Sequence, residues 1–484
     1  METKQFQIKF PVLKGTLLLL QVAVLLVFSI VSFPQVVFIV ISLALLLLWV
    51  ITFSIEGVYE IADIPILFLV LGAFAYGRAF SLLGIAMGNI PLYITEIVLA
   101  ASLGLLLLGR KSLKKLWNEW RLPFPRGLMV ALAAYFFMGT LYLLIGVIGN
   151  GFQALRDIVF CHYMLFLLIT LSLLSSPVKV KSLIPFLIPG MIITLWIGLI
   201  NFFIYIPGFY PIQQFVKEIK MFNLALYLGL IVIFGLSFFT FFKPKRKPVI
   251  GVLIYLSFLF IIMTEVRAGW LGLIVTLIFL VILLRKEMMV LLVILLLTAG
   301  SLFIIDHFQL AINKTKIDAL ANQVKSVTQQ NLPVMSAANI KWRLNIWKQT
   351  AEEIREHPVF GWGFGIQINY EVWYKELSWL KAMGASSGIL PPHNHLLAIT
   401  YKMGLLGLGL FLFINLRVFF YGLGYIKKCK SEFNRRFLIA SLAGLMYWHG
   451  MAFFFDVLES PPTGIFLWIL LGCILGVVYV DRRA

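Results

Sequence analysis

The stretch LPPHNHLLAITYKMGLLGLGLF, Leu390 to Phe411, decides how the rest of the chain is read. Behind two prolines and a histidine pair it becomes an apolar run broken mainly by glycines, Thr400 and Lys402, a composition suited to hydrocarbon rather than to a water-facing surface. On a helix starting near Pro392, the residues His393, Leu397, Thr400, Gly404 and Gly407 share one face. That face is narrow and glycine-lined, so another helix can approach it closely, with His393 at its outer end. His393 and His395 stand two residues apart and cannot both point the same way, so one of them is the better candidate for chemistry.

The whole chain shares the character of this stretch. Hydrophobic residues make up 61% of 484, charged residues 13%, and the mean hydropathy is +0.98, which excludes a soluble globule. Apolar runs of about 18 to 25 residues read as helical spans, whereas barrel strands would alternate over about ten. Fourteen spans are expected, at 15–32, 35–53, 64–84, 91–109, 127–148, 156–175, 183–207, 222–242, 248–264, 268–284, 288–305, 394–423, 437–455 and 463–480. The fold class is therefore all-α, a polytopic integral membrane protein with about 12–14 transmembrane helices. The first apolar run is followed at once by a second, with no small-residue cleavage site, and reads as a retained span. Cys161, Cys429 and Cys473 are too few and too scattered for a disulfide framework or a metal cluster, and no CxxC or HExxH occurs. No cofactor and no metal is expected.

The net charge of +19 raises nucleic acid as a partner, but its distribution speaks for topology instead. With the N-terminus in the cytoplasm, the basic loops 110–126, 178–181, 243–247, 285–287, 427–436 and 481–483 all fall on that side. Together with Lys4, Lys9 and Lys14 they hold 24 of the 40 basic residues. Both termini are expected to be cytoplasmic, and the one acidic exception lies near Glu56 to Asp63. Three regions result: helices one to eleven in 1–306, an extracytoplasmic loop domain at 307–392, and helices twelve to fourteen in 393–484. Within the loop, Asn313 to Gln330 reads as a polar helix. KWRLNIWKQTAEEIREHP reads as another, with Leu344, Trp347, Ala351 and Ile354 on its apolar face. Five of twelve tryptophans, Trp342, Trp347, Trp362, Trp373 and Trp379, fall here and suit either an interfacial belt or sugar stacking.

Charges on the outer side that topology does not require are the informative ones. Outside the large loop they are Arg78, Arg156, Lys217, Lys220 and Arg267. Arginine presents a planar fork of donors that matches phosphate oxygens, so Arg156, Arg267 and Arg78 are candidates to hold an anionic diphosphate. The bland alternative pairs Arg156 with Asp157 and Arg267 with Glu265, but neighbours one or two apart do not face each other on a helix. Lys402, nine residues beyond His393, belongs to the opposite face and to packing or another cavity. A histidine at a water-accessible mouth can take a proton from a hydroxyl near neutral pH. Asp456 and Glu459, at the same outer level, are alternative bases.

At these residues the chain resembles the O-antigen ligase and O-antigen polymerase superfamily. The shared signature is a histidine followed by Asn, Ser or Gln, nine residues, and Gly-x-x-Gly, here His393, Asn394, then Gly404 and Gly407. RLNIWKQTAEEIREHPVFGWGFG is similar to the family's segment of arginine, tryptophan, helix, His-Pro and spaced glycines, which maps to Arg343, Trp347, His357, Pro358, Gly361, Gly363 and Gly365. TEVRAGWLGL is similar to the family's arginine-led start of a span, and Arg156 occupies a place similar to an earlier arginine. What the resemblance implies is a GT-C-like, metal-independent membrane glycosyltransferase in the inner membrane of a bacterial cell, its site facing the periplasm. His393 would deprotonate the acceptor hydroxyl, Arg267 would stabilise the diphosphate leaving group, and Arg156, Arg78, Asn394, Arg343 and His395 would contact substrate. The implied partners are an undecaprenyl-diphosphate-linked glycan donor, a lipid A-core or growing-glycan acceptor, and membrane lipids. The same span count and basic cavities would also suit a lipid-linked oligosaccharide flippase, which would show two repeated halves and short loops.

Overall fold

The structure is a computed structural model that describes residues 11–30, 35–77, 80, 83–87, 90–109, 124–203, 221–264, 266–285, 288–307, 334–366, 392–454, 458 and 461–483. It is an all-α, multi-pass membrane protein. Its helices are α1 Pro11–Ile30, α2 Gln35–Ile55, α3 Ile64–Tyr76, α4 Ile94–Gly109, α5 Leu128–Asn150, α6 Ile158–Cys161, α7 Leu165–Leu173, α8 Pro177–Phe186 and α9 Ile188–Phe203. They continue with α10 Met221–Phe238, α11 Lys247–Met263, α12 Arg267–Leu283, α13 Met288–His307, α14 Val334–Glu356, α15 His395–Tyr425, α16 Glu432–Ala452 and α17 Pro461–Arg483. Among the described residues, seven helical stretches are long and apolar enough to cross a membrane, and shorter apolar helices accompany them.

At the centre stands α17, whose apolar stretch is wholly buried by its neighbours, so it meets protein rather than lipid on every side. It packs on α7 and α16, and α16 packs in turn on α10 and α12. Helices in lipid gain little from apolar burial against one another, so small residues that let backbones approach matter more. Gly272 on α12 and Gly450 on α16 are such a pair: a Cβ on Gly450 would stand 2.7 Å from the Gly272 Cα.

Three expected spans differ in detail. The third ends at Tyr76, where Gly77 takes φ +53, and a small antiparallel hairpin follows, β1 Gly84–Met87 against β2 Ile90–Tyr93. The sixth is not one helix: Gly151–Asp157 and His162–Met164 are 3-10 turns around α6, and the Phe160 carbonyl is taken by the Tyr135 hydroxyl at 2.8 Å. The seventh is divided into α8 and α9 between Pro185 and Pro189, with the Phe186 carbonyl accepting from the Trp49 indole. Lys14 meets Glu56 at 2.6 Å and Lys179 meets Asp63 at 2.8 Å, so the acidic exception among the basic loops is neutralised by lysines of other segments.

The inward face of α14 is set one position away from the expected one. Ile346 and Thr350 are buried, Trp347 is half-buried, and Leu344 and Ala351 face outward. Arg343 therefore shares the inner side with Trp347, one turn along. The expected helix at Asn313 to Gln330 lies outside the described residues.

Candidate functional site

His393 does not begin a helix. It stands just before α15 with φ +50, among the described residues the one non-glycine side chain with positive φ, a conformation that costs energy unless its surroundings enforce it. Both neighbours are fastened. Trp347 of α14 donates its indole N–H to the Pro392 carbonyl at 2.9 Å, and its ring packs on Phe453 and Phe454 at the end of α16. Asn394 caps α15, its Oδ1 accepting from Leu396 N at 2.9 Å and Leu397 N at 3.2 Å. The carboxamide expected to contact substrate thus has its oxygen committed to the backbone, satisfying two amides that the helix start leaves open.

A continuous glycine face along α15 does not exist, because Gly404 takes φ +65 and ψ −172 and breaks the helix. The rings of His395 and Phe411 lie 5.9 Å apart, whereas sixteen residues of unbroken helix would separate them by about 24 Å. α15 is an elbow whose first limb, 395–403, folds back beside the second. The break frees backbone groups, and the glycine-rich segment after α14 takes them up. Trp362 N donates to Tyr401 O at 2.8 Å and Gly363 N to Lys402 O at 3.0 Å. In return Leu405 N donates to Pro358 O at 2.8 Å and Leu406 N to Val359 O at 3.2 Å. A side chain at either crossing would collide: a Cβ on Gly404 would lie 2.1 Å from Val359 O, and one on Gly361 2.5 Å from Gly404 N.

Lys402 is the charge at this elbow. Its Nζ meets Asp157 Oδ2 at 2.8 Å, both side chains buried, and also donates to the Ile366 carbonyl. Asp157 Oδ2 accepts from Gly365 N at 2.7 Å as well. Asn150 at the end of α5 donates to Phe364 O at 2.9 Å, and the Tyr142 hydroxyl donates to Phe360 O. The packing role expected for Lys402 is therefore specific: it joins α15, the glycine segment and the turn after α5. Asp157 is committed to this lysine, and Arg156 beside it is exposed.

Arg343 and Arg267 come within each other's field. Burial first, and then the charge of Arg267, lower the Arg343 guanidinium below its ordinary range, which leaves it still a cation at neutral pH. Arg267 is the first residue of α12, following an extended Val266, so a residue 76 positions earlier in the chain acts electrostatically on α14. The same face of α14 carries Trp347, the anchor of the turn before His393. Arg267 and Arg343 are both half-buried guanidinium groups, whose planar forks of donors suit an anion.

The other expected residues fall elsewhere. His395 is 2% exposed and points into the helix core against Phe411 and Trp448 rather than to a mouth. Trp347 and Trp362 both spend their indole N–H on backbone carbonyls, Pro392 and Glu353. Arg78, Glu265, Asp456, Glu459, Trp373 and Trp379 lie outside the described residues. The Lys402–Asp157 pair and His449, which meets His395, were missed. A lysine within an apolar span was the available signal for the pair, since such a charge must find a partner.

Residues 251–412 match the O-antigen ligase family. The matched segment runs from α11 into the second limb of α15 and contains Arg267, Arg343, His393 and Gly404. No curated protein matches the chain.

Proposed function

We propose that this chain, an O-antigen ligase-type membrane protein by residues 251–412, transfers a glycan from an undecaprenyl-diphosphate carrier to an acceptor hydroxyl at the periplasmic face of a bacterial inner membrane. His393 accepts the proton of the acceptor hydroxyl. The oxygen then attacks the anomeric carbon as the bond to the diphosphate breaks, and the diphosphate leaves with the electron pair. Arg267 and Arg343 bind the charge that develops on it, with Arg156 as an exposed further cation on the donor's path. Direct displacement inverts the anomeric centre.

One observation carries this reading: α14 holds Arg343 in the field of Arg267 and, one turn on, fixes through Trp347 the residue that precedes His393. This supports a reading in which the leaving-group cation and the base are held by one helix. The substrate class is an expectation from the superfamily, and either ligation to lipid A-core or polymerisation of repeat units uses the same chemistry. Purified protein in liposomes, given a lipid-linked repeat unit with and without lipid A-core, distinguishes them. Product that requires the acceptor means ligation, ladders without it mean polymerisation, and translocation without a new glycosidic bond overturns the enzyme reading in favour of a flippase.

A further inference from the structure

We infer that His449 on α16, backed by Asn415 on α15, is a positioning residue for His393, acting through the buried His395; the inference rests on the reading of His393 as the base. The strained backbone at His393 must be held from both sides, and the side after it is held by more than the Asn394 cap. His395 lies two residues on, its ring wedged 5.6 Å from that of Trp448 and 5.9 Å from that of Phe411. Its Nε2 stands 3.4 Å from His449 Nδ1. His449 Nε2 stands 3.2 Å from Asn415 Oδ1, and Asn415 Nδ2 donates to Phe411 O at 2.8 Å.

The protons on this chain follow from its far end. A carbonyl accepts only, so the bond to Phe411 O sets the Asn415 amide with its NH2 there and its Oδ1 toward His449. His449 Nε2 must then carry a hydrogen. With both rings neutral, His449 Nδ1 is an acceptor and His395 Nε2 is its donor. The result is a one-way series from His395 through His449 and Asn415 to Phe411 O. It links the first turn of α15, the end of α16 and the second limb of α15 below the elbow. Phe411 and Trp448 fill the surrounding space without direction; the hydrogen-bonded series fixes the plane and depth of His395, and with it the turn that presents His393.

The experiment compares His449→Leu, which fills similar space but cuts the series, with His449→Gln, whose amide can both donate to Asn415 and accept from His395. Two readouts are taken: steady-state kinetics with the lipid-diphosphate donor, and the rate at which diethyl pyrocarbonate modifies His393 in the folded protein, followed by peptide mass spectrometry. His449→Leu should lower kcat tenfold to about a hundredfold, the cost of a misplaced base. KM for the donor should stay within about twofold, because Arg267 and Arg343 sit on other helices. The modification rate at His393 should change severalfold in His449→Leu and return toward the wild-type rate in His449→Gln. Wild-type kcat and modification rate in His449→Leu, or equal losses in the two variants, would overturn the inference. Should His449→Leu not fold, Asn415→Leu cuts the series one link further on and carries the same expectations. Failure of the reading of His393 as base shows differently, as turnover retained in His393→Ala, and the modification rate still tests the positioning in that case.

Discussion

Arg343 carries its charge half-buried and in the field of Arg267, so a diphosphate bound there would relieve the repulsion between them. Replacing it by Gln should raise KM for the lipid-diphosphate donor tenfold or more, since a hydrogen bond to a charged group contributes about 1.5–3 kcal/mol. Lys should restore only part of the affinity, because a single ammonium cannot reproduce the planar fork. Donor titration with each variant in liposomes checks both. His393→Ala should reduce turnover by about 10² to 10⁴, the usual contribution of a general base, and Arg267→Ala should abolish it, with both variants eluting as folded protein. Near-wild-type turnover in His393→Ala would move the base to another group. Asn394 is different in kind: its Oδ1 caps α15, so Asn394→Ala should cost about 1 kcal/mol of stability, read as a lower thermal midpoint, before it shows in KM.

At the scale of elements, the elbow in α15 and the glycine segment after α14 exist only together. A helix broken at Gly404 would leave carbonyls and amides without partners in a medium that offers none, and the segment 358–363 supplies them. Gly404→Ala should therefore cost more than the 1–2 kcal/mol of a left-handed alanine, because its Cβ also collides with Val359 O. Loss of a cooperative melting transition, or a large fall in its midpoint, is the expected result. The Lys402–Asp157 bridge at the same elbow calls for a double substitution. Asp157→Asn alone leaves a buried ammonium uncompensated and should destabilise by about 3–5 kcal/mol. Combining it with Lys402→Met removes the orphan charge while the Asn oxygen can still accept from Gly365 N, so stability should largely return. Melting curves of the two singles and the double measure this, and additive losses would refute it.

For the whole molecule, the bundle is built around a buried α17. Lys14 and Lys179 neutralise the acidic stretch near Glu56 to Asp63, the exception among the basic loops of the sequence. In the proposed mechanism the leaving-group charge is met by side chains of separate helices, and turnover in liposomes should therefore persist after EDTA treatment. Loss of activity on chelation, restored by a divalent ion, would assign the leaving-group charge to a metal instead.

The fold class was legible from the sequence because hydropathy is a local sum: runs such as Leu396 to Phe411 declare a membrane environment whatever they pack against. His393 and Arg267 stood out for a related reason, a polar group that topology does not need, whereas Arg343 was marked only by the family resemblance. What no local pattern contains is who meets whom. Lys402 and Asp157 lie 245 residues apart and His395 and His449 lie 54 apart. Each pairing arises from backbones brought together elsewhere by small residues and by the elbow. The elbow itself could not be read from helical spacing, since Gly404 is tolerated in a straight helix and is forced out of it only when segment 358–363 satisfies the groups that the break exposes. Local composition determined that this is a helical membrane protein with a histidine and arginines to explain; the crossing of distant segments alone decided that Arg343 comes into the field of Arg267 and that Trp347, one turn along α14, holds the turn before α15.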